Sequence, residues 1–239
     1  MSTPKKKFKK PDEIITEFLH LASHQLLTPL TISQWYTQLL ESKLAGEGNE
    51  SYNDLLQEIS NANYRMREII NMMLDTSRVE SNRYKIKKDK IQLSNLIGSK
   101  LSKLETEFAR LGVKTRINNL AQADHVVYSD EIILGKVIEL IIHNALKYNR
   151  STPRMVNIGL RKNKSNKILI SFVDNGIGIP EPDQKRIFNK FFRAGNAVIL
   201  EPDGSGLSLY YAKQSLYLLG SKIWFRSRHG GGTVFTVRV

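Results

Sequence analysis

The 239-residue sequence contains no cysteine. Without thiols, neither a disulfide framework nor a thiolate metal site can form, and a cytoplasmic location is expected. Long hydrophobic runs are missing too. No uninterrupted apolar stretch reaches the ~18 residues that a membrane span needs, and the basic start is not followed by the apolar core of a signal peptide. Acidic residues are scarce: 23 Asp and Glu face 36 Lys and Arg, for a formal net charge of +13. Such a balance draws polyanions, whether nucleotide, nucleic acid or anionic lipid, without choosing among them. The basic residues are scattered and no reader motif accompanies them, so no specific nucleic-acid partner is expected. There is no internal repeat. The apolar share of 41% and charged share of 25% suit a globular chain long enough to build one large core or two small ones.

Residues 1–11 carry Lys5, Lys6, Lys7, Lys9 and Lys10 around Phe8. They read as a disordered basic tail capable of at most a weak contact with an anionic membrane surface. From Asp12 the pattern turns helical, with Ile15, Leu19, Ala22, Leu26 and Leu30 at steps of three and four, and it runs to about Leu44. Inside it stands Ser23-His24-Gln25-Leu26-Leu27-Thr28-Pro29. Proline lacks an N–H and its ring clashes with the carbonyl four residues back, here that of Gln25. It costs an ordinary helix about 3 kcal/mol, so it asks for a reason beside His24. Gly46 and Gly48 supply a turn, and Leu55, Ile59, Ala62, Met66, Ile69 and Met73 predict a second helix ending near Arg78–Ser81. One hairpin cannot cover two wide apolar stripes, so pairing with a second copy into a four-helix bundle is expected.

Past a linker, a short strand is predicted around Ile86–Ile91. A helix over Leu93–Leu111 follows, capped by Ser94 or Asn95 and closed by Gly112. Short strands then cover Val113–Ile117 and His125–Tyr128. Ser129 or Asp130 caps a helix over Glu131–Tyr148 that is apolar on most faces and should be buried. Strands at Met155–Leu160 and Ile168–Val173 flank a polar turn at Asn163–Asn166. A Gly- and Pro-rich stretch (174–206), a helix over Leu207–Leu219 and strands at Lys222–Ser227 and Thr233–Val239 complete the chain. The order implies an α+β fold: a helical hairpin over 12–82, then, over 88–239, an α/β sandwich with a mixed sheet and helices on one face.

Three clusters of chemistry-bearing residues sit where elements end. Asn144 and Lys147 are three apart at a helix end and share a face; an amide oxygen suits Mg²⁺ and a lysine suits phosphate. Asp174, directly after a strand, can accept from an exocyclic amine such as that of adenine, and the glycines of Asp174-Asn175-Gly176-Ile177-Gly178 permit close backbone approach. Gly204-Ser205-Gly206-Leu207 opens onto a helix as an anion site. Each alone reads equally as a turn or a cap; their order makes them specific. His20, His125, His143 and His229 read as ordinary surface or core residues.

In that order the chain resembles the catalytic core of bacterial sensor histidine kinases. The stretch around His24 resembles the H box, Asn144–Tyr148 the N box, Asp174–Pro180 the G1 box, Ile187–Arg193 the F box and Gly204–Leu209 the G2 box, so that the resemblance spans residues 13–239. It implies a homodimer built on a phosphoacceptor hairpin, and a Bergerat-type ATP-binding domain like that of gyrase and MutL. By the same resemblance, His24 receives the γ-phosphate of ATP and passes it to the receiver domain of a response regulator. Asn144 holds Mg²⁺; Lys147 and Tyr148 contact nucleotide and phosphates; Asp174 reads the adenine amine, with Gly176 and Gly178 shaping the pocket. Gly204, Gly206 and Leu207 wrap the phosphates, Arg193 reaches the γ-phosphate, 181–203 forms a lid, and Thr28 serves dephosphorylation of the regulator. Input is expected either from a sensor or other input partner, or from a larger circuit in which the chain acts as a soluble kinase.

The sequence departs from the family at several positions. Gln25 stands where a carboxylate is usual, and a glutamine oxygen orients an imidazole but is a poor base, so slow autophosphorylation is expected. Leu27 replaces a basic residue. Leu140 occupies the place of the first N-box Asn, where gyrase-type ATPases carry a catalytic Glu. Ser208 and Ser221 replace glycines. These changes keep open the alternative of a degenerate nucleotide-binding kinase that acts as an interaction module or as a response-regulator phosphatase.

Overall fold

The computed structural model describes residues 11–44, 52–81, 84–118, 125–202 and 204–239; the side chains of residues 11–25 and 53 lie outside that description. The expected basic tail also lies outside it, except that Pro11 is the first helical residue. The chain divides into two compact units, Met1–Met73 and Leu74–Val239.

The first unit holds helix α1 (Pro11–Leu44) and most of helix α2 (Asn53–Glu80). Pro29 is inside α1 and buried. The two helices touch through Ser33 Oγ and Asn63 Oδ1 at 3.4 Å, and the Tyr52 hydroxyl donates to the Lys43 carbonyl at 3.2 Å. Ala62, Ile69 and Met73 are buried, whereas Trp35, Leu39, Leu44, Leu56, Tyr64 and Ile70 remain exposed. Among the described residues the hairpin thus hides part of the α2 stripe and leaves large apolar side chains of both helices exposed.

The second unit begins with the last turns of α2. Asp75 accepts an ion pair from Lys136, and both Glu80 oxygens lie 2.9 Å from Lys190 Nζ, with the Tyr210 hydroxyl also donating to Glu80. Strand β1 (Asp89–Gln92) pairs antiparallel with β3 (Val126–Ser129) as a small separate sheet, with α3 (Leu93–Leu111) and β2 (Val113–Asn118) between them in the chain. Then come α4 (Glu131–Lys147), β4 (Arg154–Lys162) and β5 (Ile168–Asp174). Two short helices follow, α5 (Glu181–Gln184) and α6 (Gly195–Leu200), before α7 (Ser208–Leu218), β6 (Lys222–Ser227) and β7 (Thr233–Arg238). The five-stranded sheet runs β2-β4-β5-β7-β6, with β2 and β4 parallel and the other pairs antiparallel. The sheet is mixed, as the order of elements implied.

Alternation on the strands decides which face is core. Val156, Ile158 and Leu160 on β4, Ile170 and Phe172 on β5, and Phe235 and Val237 on β7 are all buried, and the register places Ile158, Phe172, Phe235 and Phe225 in one row. Against them, α4 buries Ile133, Leu134, Val137, Ile138, Ile141 and Ile142, and α7 buries Tyr211, Ala212 and Leu216.

Local details differ from the sequence reading. Asp130, not Ser129, caps α4, accepting from the Ile133 N–H at 3.0 Å through Oδ1 and from the Lys87 N–H at 3.0 Å through Oδ2. Neither Ser94 nor Asn95 caps α3, because the helix starts at Leu93 and Gln92 occupies the cap without a side-chain bond. Ile132 is 76% exposed rather than buried; the first turn of α4 presents it away from the sheet. The 181–203 stretch, expected as a lid, contains α5 and α6, and α7 begins at Ser208 rather than Leu207.

Candidate functional site

The site grows from the C-terminal end of α4. Asn144 and Lys147 sit one turn apart there; Asn144 Nδ2 lies 3.5 Å from Ser208 Oγ at the start of α7. Lys147 Nζ stands 3.7 Å from Glu201, and Arg150 donates to the same carboxylate at 2.8 Å. Burial raises the pKa of Tyr148 while the neighbouring Arg193 pulls it back. The Tyr148 carbonyl accepts from the Ile177 N–H at 3.0 Å, which ties the helix end to the loop after β5.

Two asparagines that sequence reasoning passed over reinforce that tie. Asn149 is fully buried. Its Nδ2 donates to Asn175 Oδ1 at 2.9 Å and its Oδ1 accepts from the Ser151 N–H at 3.1 Å. Asn175 also donates to the Pro153 carbonyl at 2.9 Å. Both follow immediately on predicted site residues, Tyr148 and Asp174, and that adjacency is the only signal the sequence offers for them.

Asp174 closes β5. Its Oδ1 accepts from the N–H of Gly176 at 2.9 Å and of Thr233 at 3.2 Å. Among the described residues no group donates to Oδ2. Burial pushes the carboxyl up to about 6 against those two backbone bonds, as desolvation does for a carboxylate lacking a cation. Gly178 is required by its surroundings: φ is +62°, and a Cβ there would lie 1.9 Å from the Arg228 carbonyl oxygen.

On the far side, Arg193 lies at the foot of the segment carrying α6. It donates to the carbonyls of Pro202 at 2.7 Å, Ala197 at 3.1 Å and Glu201, while its Nε is buried without a partner. A Cβ on Gly204 would meet the guanidinium at 2.9 Å, and one on Gly206, at φ +68°, would strike the Phe191 backbone. Asn196 donates to the Gly178 carbonyl at 2.9 Å, and the Gly195 N–H donates to Asp183 at 3.0 Å. Leu207 is wholly buried, with its N–H 3.4 Å from Ser205 Oγ.

The second unit therefore carries Asn144, Lys147, Tyr148, Asp174, Gly176, Gly178, Arg193, Gly204, Gly206 and Leu207. The set offers an acceptor at Asp174 Oδ2, two cations at the end of α4 and a third against Gly204. Thr28 belongs to α1 in the first unit, and the side chains of His24 and Gln25 lie outside the described residues. No group of three or more His, Cys, Asp or Glu that would hold a metal alone exists among the described residues. Glu139, the carboxylate beside Leu140, lies 2.8 Å from Lys100. Burial raises its pKa, but the Lys100 contact outweighs that and lowers it, so it is held as a partnered anion.

Residues 129–239 match the family described as Histidine kinase-, DNA gyrase B-, and HSP90-like ATPase, and residues 14–82 match the His Kinase A (phospho-acceptor) domain. The chain belongs to the sensor histidine kinases, as their catalytic core. This kinase core is 31% identical over 234 residues to Sensor histidine kinase WalK of Bacillus subtilis, a match covering 95% of the chain and 37% of WalK. It is 25% identical over 229 residues to Sensor protein RprX of Bacteroides fragilis, covering 96% of the chain and 44% of RprX. The chain thus spans less than half the length of these curated relatives. Its fold is that of histidine kinase AdeS of Acinetobacter baumannii (TM-score 0.69, 18% identity, 90% of this chain and 96% of that one). It is also that of histidine kinase ThkA, solved in complex with response regulator protein TrrA (TM-score 0.73, 19% identity, 95% of this chain and 62% of that one). At these identities the likeness is one of fold alone.

Proposed function

We propose that this core transfers the γ-phosphoryl group of ATP to Nε2 of His24 and then passes it to an aspartate of a response-regulator receiver domain. The observation that carries the reading is the grouping of Asp174, Lys147, Arg150, Arg193 and the Gly204–Gly206 loop around the end of α4. Asp174 Oδ2 accepts from the adenine amine, Lys147 and Tyr148 meet the phosphates, and Gly204 and Gly206 let the backbone close on them. Arg193, once released from the 197–202 carbonyls, neutralises charge at the γ-phosphate. Mg²⁺ bound with the nucleotide would be held through the Asn144 amide oxygen and would offset charge on the phosphates.

His24 attacks as the neutral imidazole, with its Nε2 lone pair in line with the breaking bond. The Nδ1 proton must then leave, and Gln25 orients the ring without accepting that proton, which makes the transfer slow. Pro29 leaves the Gln25 carbonyl without its helical donor and so loosens the backbone beside the nucleophile. Thr28 serves the separate hydrolytic dephosphorylation of the response regulator. The exposed apolar residues of α1 and α2 support homodimerisation, and the ThkA–TrrA complex supports a receiver-domain partner. Input reaches the core from a sensor element, and we place the reaction in the cytoplasm, where ATP is supplied; no helix among the described residues is long and apolar enough to cross a membrane.

Incubation with Mg²⁺ and [γ-³²P]ATP tests this. Acid-labile, base-stable label on the wild type and none on His24→Ala is the expected result. A wild type that binds ATP but takes no label would leave the second reading, a degenerate kinase acting as an interaction module or phosphatase, which Gln25 and Leu27 favour.

A further inference from the structure

The segment folded across the phosphate end of the pocket carries its own anion. Glu201, the residue that ends α6, sets one carboxylate oxygen 2.8 Å from Arg150 Nη2 and the other 3.7 Å from Lys147 Nζ. Those are the two cations at the end of α4. The same stretch occupies Arg193 through the carbonyls of Ala197, Glu201 and Pro202, with the guanidinium lying against Gly204. Three cations suited to a polyphosphate are therefore held by one run of six residues, 197–202.

A carboxylate bridging a lysine and an arginine makes the same kind of contact that a phosphate oxygen makes. We propose that Glu201 is an internal phosphate surrogate: it occupies the polyphosphate subsite in the nucleotide-free kinase and holds the lid down until a nucleotide phosphate displaces it. The proposal rests on reading 144–206 as the nucleotide pocket. It deepens that reading by making lid release depend on phosphate. Adenosine satisfies Asp174 but brings no anion to compete for Lys147 and Arg150, so the lid keeps its contacts. ADP competes in part. ATP takes both cations, Glu201 leaves with its segment, and Arg193 loses its carbonyl partners as that segment moves. Glu201 is thus a positioning residue that couples phosphate count to the freedom of Arg193.

Each partly exposed ion pair of this kind is worth a factor of about two to five, so removing both favours a competing anion by about four- to 25-fold. Glu201→Gln keeps the size of the side chain; Glu201→Ala removes its reach as well. The full chain of each is titrated calorimetrically with ATP, ADP and adenosine in Mg²⁺, and amide exchange over 195–202 is followed without nucleotide. Both variants are expected to bind ATP about four- to 25-fold more tightly than wild type, ADP with a smaller gain and adenosine unchanged, and to exchange lid amides faster when nucleotide-free. Equal ATP affinity in wild type and variants overturns the surrogate. So does a gain for adenosine as large as for ATP, or tighter ATP binding with unchanged lid exchange. If neither wild type nor variants bind ATP or adenosine, the nucleotide pocket itself falls and the surrogate with it.

Discussion

Replacing Asp174 by Asn moves stability and nucleotide binding in opposite directions. An unfolded Asp titrates near 3.8, whereas Asp174 in the folded protein is pushed up to about 6. Between those values the folded state binds more protons than the unfolded state, so the wild type loses stability as pH rises from 3.8 to about 6. Above that window the penalty is constant, at about 3 kcal/mol against the charged form. An amide carries no such penalty, but it is a weaker acceptor for the N–H groups of Gly176 and Thr233, which costs about 1 kcal/mol. The nucleotide-free variant should therefore be about 1–2 kcal/mol more stable than wild type at pH 7.5, a rise in Tm of about 3–6 °C for a unit of this size. The advantage should vanish near pH 3.8. Binding moves the other way. Gly176 and Thr233 both donate to Oδ1, so in the variant the amide oxygen stays with them and Nδ2 faces the pocket. A donor then meets the adenine amine, itself a donor, and the loss of a bond to a charged acceptor costs about 1.5–3 kcal/mol, or roughly tenfold to more than a hundredfold in affinity. Differential scanning calorimetry across pH and isothermal titration with ATP measure both effects. A variant less stable than wild type at pH 7.5, or one that binds ATP as wild type does, would refute the reasoning.

Other substitutions test neighbouring parts of the argument. In the wild type, adenosine, which carries no titrating phosphate, should bind about tenfold more weakly at pH 5 than at pH 7.5, because only about a tenth of Asp174 stays ionised one unit below its midpoint; a flat affinity profile by titration contradicts this. Gln25→Glu should raise the initial rate of His24 labelling by tenfold or more, since general-base assistance is commonly worth 10²–10⁴-fold; an unchanged [γ-³²P]ATP time course removes Gln25 as the cause of slow chemistry. Gly178→Ala meets both a left-handed φ and the Arg228 carbonyl. It should lower stability by about 2 kcal/mol or more and weaken ATP binding, read by urea unfolding and titration. Glu80→Ala strips Lys190 and Tyr210 of their shared acceptor and should cost the second unit about 1 kcal/mol. It should also bring down the Tyr210 pKa, which burial and then Glu80 hold up; ultraviolet pH titration of the tyrosines reads that change.

Much of this protein was written in local sequence. The helical periods of α1 and α2 and the run of Ile and Leu in α4 need no tertiary partner to be read, because the period of a buried face is set by backbone geometry. The order of Asn144, Asp174 and Gly204–Gly206 named the family for the same reason: those residue types answer to a ligand, and their spacing to the elements between them. Folding decided what depends on residues far apart in the chain. Asp130 rather than Ser129 became the cap of α4 because Lys87, on a distant segment, shares its carboxylate. Asp174 became a buried acceptor with one oxygen left for a ligand because the fold desolvates it and Thr233, 59 residues on, takes the same oxygen that Gly176 takes. Glu201 shows no pattern in sequence, yet it closes on Lys147 and Arg150, more than 50 residues before it. Charges and hydrogen bonds act through space, so a chain announces which groups it owns, and only the packed fold settles which of them meet.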